Sequence, residues 1–162
     1  MSGRKPAPSR TQQGFAYLAL MIAVAVIGIT AANAVQVGAR LTQHGAEQEL
    51  LAIGEEFQLA LRRYAAATPQ GAARAPASME ELLRDPRYPG VVRHLRRYRA
   101  DPLTGRLDWT LVRDGTGRIV GIHSSSSRRP LKVTGFPPAV RHLEGEKSSY
   151  REWVFWGAVP PR

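Results

Sequence analysis

Phe15 to Val37 reads FAYLALMIAVAVIGITAANAVQV, and no charged side chain occurs anywhere between Arg10 and Arg40. About 20 consecutive apolar residues are enough for a helix to cross the hydrocarbon layer of a bilayer. The tail in front of the run carries Arg4, Lys5 and Arg10 and no acid, and such a basic flank stays on the cytoplasmic side. The sequence therefore predicts a membrane-inserted N-terminus, with the rest of the chain on the far side.

Three fates of this run are compatible with its composition. It is a secretory signal cut after Ala32-Asn33-Ala34, leaving Val35 first. It is a plain single-span anchor. Or a peptidase on the cytoplasmic side removes only the short basic leader and the run is kept. The texture downstream bears on the choice, because helical periodicity continues. From Gln43 to Ala67 there is no proline, and Leu50, Ile53, Phe57, Leu61 and Tyr64 recur at steps of three and four. That is one stripe of an amphipathic helix. Glu47, Glu49, Glu55, Glu56, Arg62 and Arg63 are assigned to its polar face. Gly38, Gly45 and Gly54 each weaken a helix by roughly 1 kcal/mol against alanine, in exchange for bends or close contacts. One helix from Phe15 to Ala66 is expected, roughly 75 Å long, apolar all round at first and on one stripe afterwards.

Residues 67–162 are expected to form a small α+β domain. Thr68 to Ala77, TPQGAARAPA, is a loop by composition. Ser78 with Glu81 has the spacing of a capping box and opens a short helix to about Arg84. A further helical turn is expected at Val91–Leu95. Asp101-Pro102-Leu103-Thr104-Gly105 is a turn. Leu107–Arg113 and Arg118–Ser124 read as strands of a hairpin closed by Asp114-Gly115-Thr116-Gly117. Trp109 and Leu111 are assigned to one face, and Ile119 and Gly121 to the face opposite Val120 and Ile122. After a Pro- and Gly-rich excursion from Ser125 to Ser149, Tyr150–Trp156 is the last strand, with Trp153 and Phe155 on one face. Two or three antiparallel strands need a partner to be stable. The helix stripe Leu50, Ile53, Phe57, Leu61 and Tyr64 is expected to pack on Trp109, Val120 and Phe155, each large apolar group contributing on the order of 2 kcal/mol.

The order of these pieces resembles type IV pilins and, more closely, the pseudopilins of type II secretion systems. A basic leader ends in Gly14, Phe15 opens the apolar run, one long helix follows, and a small domain comes last. Tyr98-Arg99-Ala100-Asp101-Pro102-Leu103-Thr104-Gly105, Asp108-Trp109, Gly121-Ile122-His123-Ser124 and Glu152-Trp153-Val154-Phe155 are similar to G-type pseudopilins. The resemblance implies a pilin-like fold, cleavage by prepilin peptidase between Gly14 and Phe15, and N-methylation of Phe15. It implies a single-pass protein of the bacterial inner membrane with residues 67–162 in the periplasm. Its partners would be membrane lipid, other pseudopilins and inner-membrane assembly proteins. The family carries Glu at the fifth mature position, thought to pair with a neighbour's terminal amine; here that position is Ala19. This departure implies a minor or tip subunit rather than the bulk of a filament. A minor pilin that binds DNA or another polyanion, and an exported protein with a cleaved signal, remain the alternatives.

The 162 residues carry a formal net charge of +10 and no cysteine, which excludes disulfides and thiolate metal sites. Arg93, Arg96, Arg97 and Arg99 beside Tyr98 form the densest basic cluster. It reads as a solvated face, a phosphate grip or a contact with an acidic patch on a neighbouring subunit. No recognition module accompanies it, so nucleic acid is not the expected partner. His44, His94, His123 and His142 are scattered and form no zinc pattern. Glu144 and Glu146, with Asp108 and Asp114, lack the acid density of a calcium loop. His123, Asp114 and the serines 124–127 lack the frame of a nucleophile elbow. No catalytic residue, metal or cofactor is expected.

Overall fold

A computed structural model describes residues 10–157, with the side chains of residues 10–14, 16 and 29–37 outside that description. Helix α1 spans Arg10–Ala66 and α2 Glu80–Leu83; strands β1 (Thr110–Arg113), β2 (Ile119–His123) and β3 (Phe155–Trp156) follow, with 3₁₀ helices at Pro138–Leu143 and Tyr150–Glu152. The protein is α+β, a long helix with a small antiparallel sheet. It divides into two units, residues 1–42 and 43–162.

In the first unit α1 begins at Arg10, five residues inside the expected leader. No proline occurs between Pro8 and Pro69, so nothing in the backbone chemistry stops the helix from starting before Phe15. The rest of the leader, including Arg4 and Lys5, lies outside the described residues. Phe15, Tyr17, Leu18, Leu20, Met21, Ile22 and Val24 are all exposed, Phe15 by 75 %. Among the described residues no helix is long and apolar enough to cross a membrane. The expected span runs on into residues 29–37, whose side chains are outside the description.

The second unit has one core. Leu50, Ile53, Phe57, Leu61 and Tyr64 are buried along one side of α1, and Trp109 and Phe155 are buried in the same cluster. Phe57 meets Trp109 and Tyr98 edge to face, at centroid distances of 5.5 and 6.0 Å. Among the α1 glycines whose surroundings are described, Gly54 alone has a close neighbour: a Cβ there would enter the ring of Phe155, whereas Gly28, Gly38 and Gly45 have open space.

β2 is the central strand, antiparallel to β1 on one side and to β3 on the other. Its pairing with β1 slips where Val112 faces Gly121 and Arg113 faces Ile119, which leaves Val120 as the extra residue on β2. A bulge of this kind turns the strand, so side chains three apart face the same way. Ile119 and Ile122 are therefore both fully buried and Val120 only half so, which corrects the strict alternation expected for this strand. The turn at residues 114–117 forms as expected, with the Asp114 N–H donating to the Arg118 carbonyl and Gly117 at φ 79°.

Other expectations change. β1 starts at Thr110 rather than Leu107, and β3 is only two residues long. Tyr150–Glu152 is a 3₁₀ turn, because Glu152 folds back to accept the N–H groups of Ser148 and Ser149. The capping box expected at Ser78 does not form; Met79 precedes α2, and the Glu81 carboxylate instead takes the Tyr64 hydroxyl at 2.7 Å and the Ala77 N–H. No helical turn forms at 91–95, since the N–H groups of His94 and Leu95 both donate to the Leu82 carbonyl. The excursion 125–149 is a wall of the core, burying Phe136, Val140 and Leu143.

Candidate functional site

Two features stand out, one in each unit. In residues 1–42 it is the charge-free apolar surface of α1. Phe15 is at its start; Ala19, where the resembled family has Glu, is exposed. Gly14 lies within α1, its surroundings outside the description. Ala32-Asn33-Ala34, the expected signal-cleavage site, falls in the stretch without described side chains.

In residues 43–157 it is a basic groove of about 410 Å³ between the C-terminal turns of α1 and the segment 94–99. Arg63 enters from α1 and Arg96, Arg97 and Arg99 from the segment, with Leu59 and Leu95 as apolar wall. Three of the four arginines singled out in the sequence thus meet here. Arg93 does not line the groove, and Arg63, assigned only to a polar helix face, does. Arg63 is four residues beyond Leu59, so helical spacing alone places the two side by side.

The segment is held firmly. The Asp85 N–H donates to Val92 O, and His94 and Leu95 are pinned to Leu82. Trp109 Nε1 donates to the Arg99 carbonyl at 2.8 Å. The Arg99 guanidinium reaches Glu49 on α1 at 2.8 Å and comes within 4.0 Å of Glu56. Arg63, Arg96 and Arg97 are exposed and make no ion pair among the described residues.

Beneath the groove lies a buried ionic cluster that the sequence did not reveal. Arg87 grips Asp85 with two nitrogens, at 2.8 and 2.6 Å, and donates to Tyr64 O, Ala73 O and Thr68 Oγ1. Tyr64 O belongs to the last turn of α1, so Arg87 caps that helix with a cation where the helix dipole favours one. Its guanidinium stacks 3.5 Å from the Tyr64 ring centre. His94 Nε2 sits 2.9 Å from Asp85 Oδ2 and fixes the groove's inner wall. Hydrogen bonding from Arg87 holds the Asp85 carboxyl well below the usual carboxylate range. Burial, with the hydrogen bond to Glu81, pushes the Tyr64 hydroxyl up to about 12.

Glu47 was assigned to the polar face and is instead buried. Its Oε1 accepts the N–H groups of Leu131 and Lys132 and the Tyr150 hydroxyl at 2.8 Å, which ties the excursion to α1. His44 Nδ1 is 3.8 Å from Glu47 Oε2, a spacing of three that the scattered-histidine reading passed over. No group of three or more metal-ligating side chains occurs among the described residues.

The turn 101–105 is stitched to the end of β2. Asp101 accepts from Ser124 Oγ at 2.6 Å and from the Leu103 N–H, and Asp108 accepts from Thr104 and Ser125. These hydrogen bonds, that of Thr104 first, hold the Asp108 carboxyl below its ordinary value. His123 and Asp114 sit at opposite ends of the β1–β2 hairpin, so no triad assembles. Glu144 and Glu146 are exposed, Glu146 against Arg129 at 2.9 Å.

Comparison of the chain with protein-family models, with curated proteins and with solved structures finds no match.

Proposed function

We propose that the protein is a pseudopilin-like structural subunit, minor or at the tip, of a type II secretion or related filament machine. The observation that carries this reading is the α1 surface at Phe15 and from Tyr17 to Gly28, exposed and without charge. Apolar surface in water costs roughly 25 cal/mol per Å², and a patch of this kind marks a surface that something else covers. Lipid covers it first and the helices of neighbouring subunits afterwards. Small residues, Ala19, Ala23, Ala25 and Gly28, support that exchange because they let helices approach closely. The basic leader holds the cytoplasmic end until prepilin peptidase cuts after Gly14, and residues 67–162 face the periplasm. Ala19 offers no carboxylate to a neighbour's terminal amine, which suits a subunit that has no neighbour on that side. The work of the protein on this reading is packing and movement, not catalysis.

N-terminal sequencing of the protein recovered from membranes of cells with prepilin peptidase tests the proposal. The expected first residue is Phe15, and Gly14→Leu is expected to leave the leader attached. A product that begins at Val35 and fractionates without membrane would overturn it.

A further inference from the structure

The groove at Arg63, Arg96, Arg97 and Arg99 plays no part in membrane insertion, and its build is unusual for a merely solvated face. A cleft lined by one sign of charge focuses the electrostatic field and draws in groups of the opposite sign. Here Arg63 from α1 and Arg96, Arg97 and Arg99 from one segment line a single hollow together with Glu56, and the segment is fixed because His94 and Leu95 donate their N–H groups to the Leu82 carbonyl and Trp109 Nε1 donates to the Arg99 carbonyl. Only Arg99 has a counter-charge among the described residues, shared between Glu49 and Glu56. Arginine is the side chain that binds carboxylates in a planar, bidentate manner.

We propose that this groove is a docking site for a short acidic segment, with leucine-like side chains among its acids, on a partner protein. The apolar wall decides between acidic peptide and nucleic acid. Leu59, at 42 % exposed, stands open beside the arginines and suits an aliphatic side chain. Single-stranded nucleic acid would need aromatic platforms on which bases stack. The aromatic of the segment, Tyr98, is half-buried with its ring edge to face on Phe57, and it opens on the neighbouring hollow at Glu49, Arg97 and Arg99 rather than on this groove. Glu56 lines the groove itself and Glu49 the neighbouring hollow, and both are engaged by Arg99. A second copy of this chain is a poor occupant, because the chain stays strongly basic even without Arg4, Lys5 and Arg10 of the leader, and like-charged bodies repel. The partner is therefore a different, acidic protein.

The test uses the full chain in detergent micelles and a fluorescein-labelled hexapeptide of sequence Glu-Leu-Glu-Glu-Leu-Glu. Saturable anisotropy that weakens as salt rises is expected. Arg96→Glu with Arg97→Glu is expected to weaken binding by about tenfold or more, and Arg96→Gln with Arg97→Gln by less. Arg93→Glu with Arg141→Glu makes the same change in net charge outside the groove and is expected to leave binding nearly unchanged. Equal weakening by both Glu pairs would overturn the proposal, since binding would then follow net charge alone. Tighter binding of a single-stranded oligothymidylate of equal charge would overturn it in favour of nucleic acid. Self-association abolished by the Arg96→Glu and Arg97→Glu pair would overturn it in favour of a second copy. None of these outcomes bears on the membrane reading, which the N-terminal sequence decides.

Discussion

One helix, α1, passes through two regions with opposite solutions to the same problem. From Phe15 to Gly28 it carries large apolar side chains that remain exposed. From Leu50 to Tyr64 comparable side chains are buried under the sheet, the 3₁₀ turns and the excursion. Both stretches are helical throughout. What separates them is whether the same chain supplies the cover. A region that covers itself is held by intramolecular packing, and a region that does not is held by whatever it meets. Substitutions in the second should alter folding, and substitutions in the first should alter association.

The largest contrast is expected from Phe57→Ala, which empties the middle of the aromatic cluster and should destabilise the second unit by about 4 kcal/mol. Tryptophan fluorescence from Trp109 and Trp153 during thermal unfolding in detergent reads this directly. Next comes the ionic cluster. Asp85 is fully buried against Arg87 and His94, so Asp85→Asn leaves the largely buried Arg87 guanidinium uncompensated and should cost on the order of 3 kcal/mol. Its carboxyl titrates lower in the folded chain than in the unfolded one. Its contribution is therefore full above about pH 4 and is lost as pH falls below the ordinary carboxylate range. In the Asn variant the acid limb of the stability curve should flatten, which urea titrations from pH 7 to pH 2 will show. A steep limb unchanged from the native protein would remove Asp85 from the account.

Smaller effects sharpen the comparison within the helix itself. Gly54→Ala raises helix propensity but drives a methyl group into the Phe155 ring, and overpacking should win, with a net loss of about 1 to 2 kcal/mol. Gly45→Ala meets nothing and should gain somewhat under 1 kcal/mol. Opposite shifts in midpoint for the two variants are the expected result; shifts of the same sign would mean that the close approach at Gly54 does not matter. Smallest in its effect on folding is Ile22→Ala, with a change in unfolding midpoint worth less than about 0.5 kcal/mol, accompanied by weaker retention in membranes. A large fall in stability from Ile22→Ala would erase the difference between the two regions.

Periodicity and composition by themselves determined the long helix, its buried stripe, the β1–β2 hairpin and the uncharged run. Each rests on local chemistry: a repeat of three and four, a Gly-bearing turn, the absence of proline and charge. Tertiary structure alone decided which charged groups are not solvent-facing. Glu47 has the sequence surroundings of any polar-face residue, and only the return of Leu131, Lys132 and Tyr150 buries it. Asp85, Arg87 and His94 are close in sequence, yet they act together because Tyr64 and Ala73 bring backbone carbonyls to the same place. The basic groove shows both contributions. Its three neighbouring arginines were visible as a cluster, whereas Arg63 joined them, and Arg93 left them, through the path the backbone takes past Leu82. A carboxylate or guanidinium finds its partner through space, and no repeat along the chain encodes that distance.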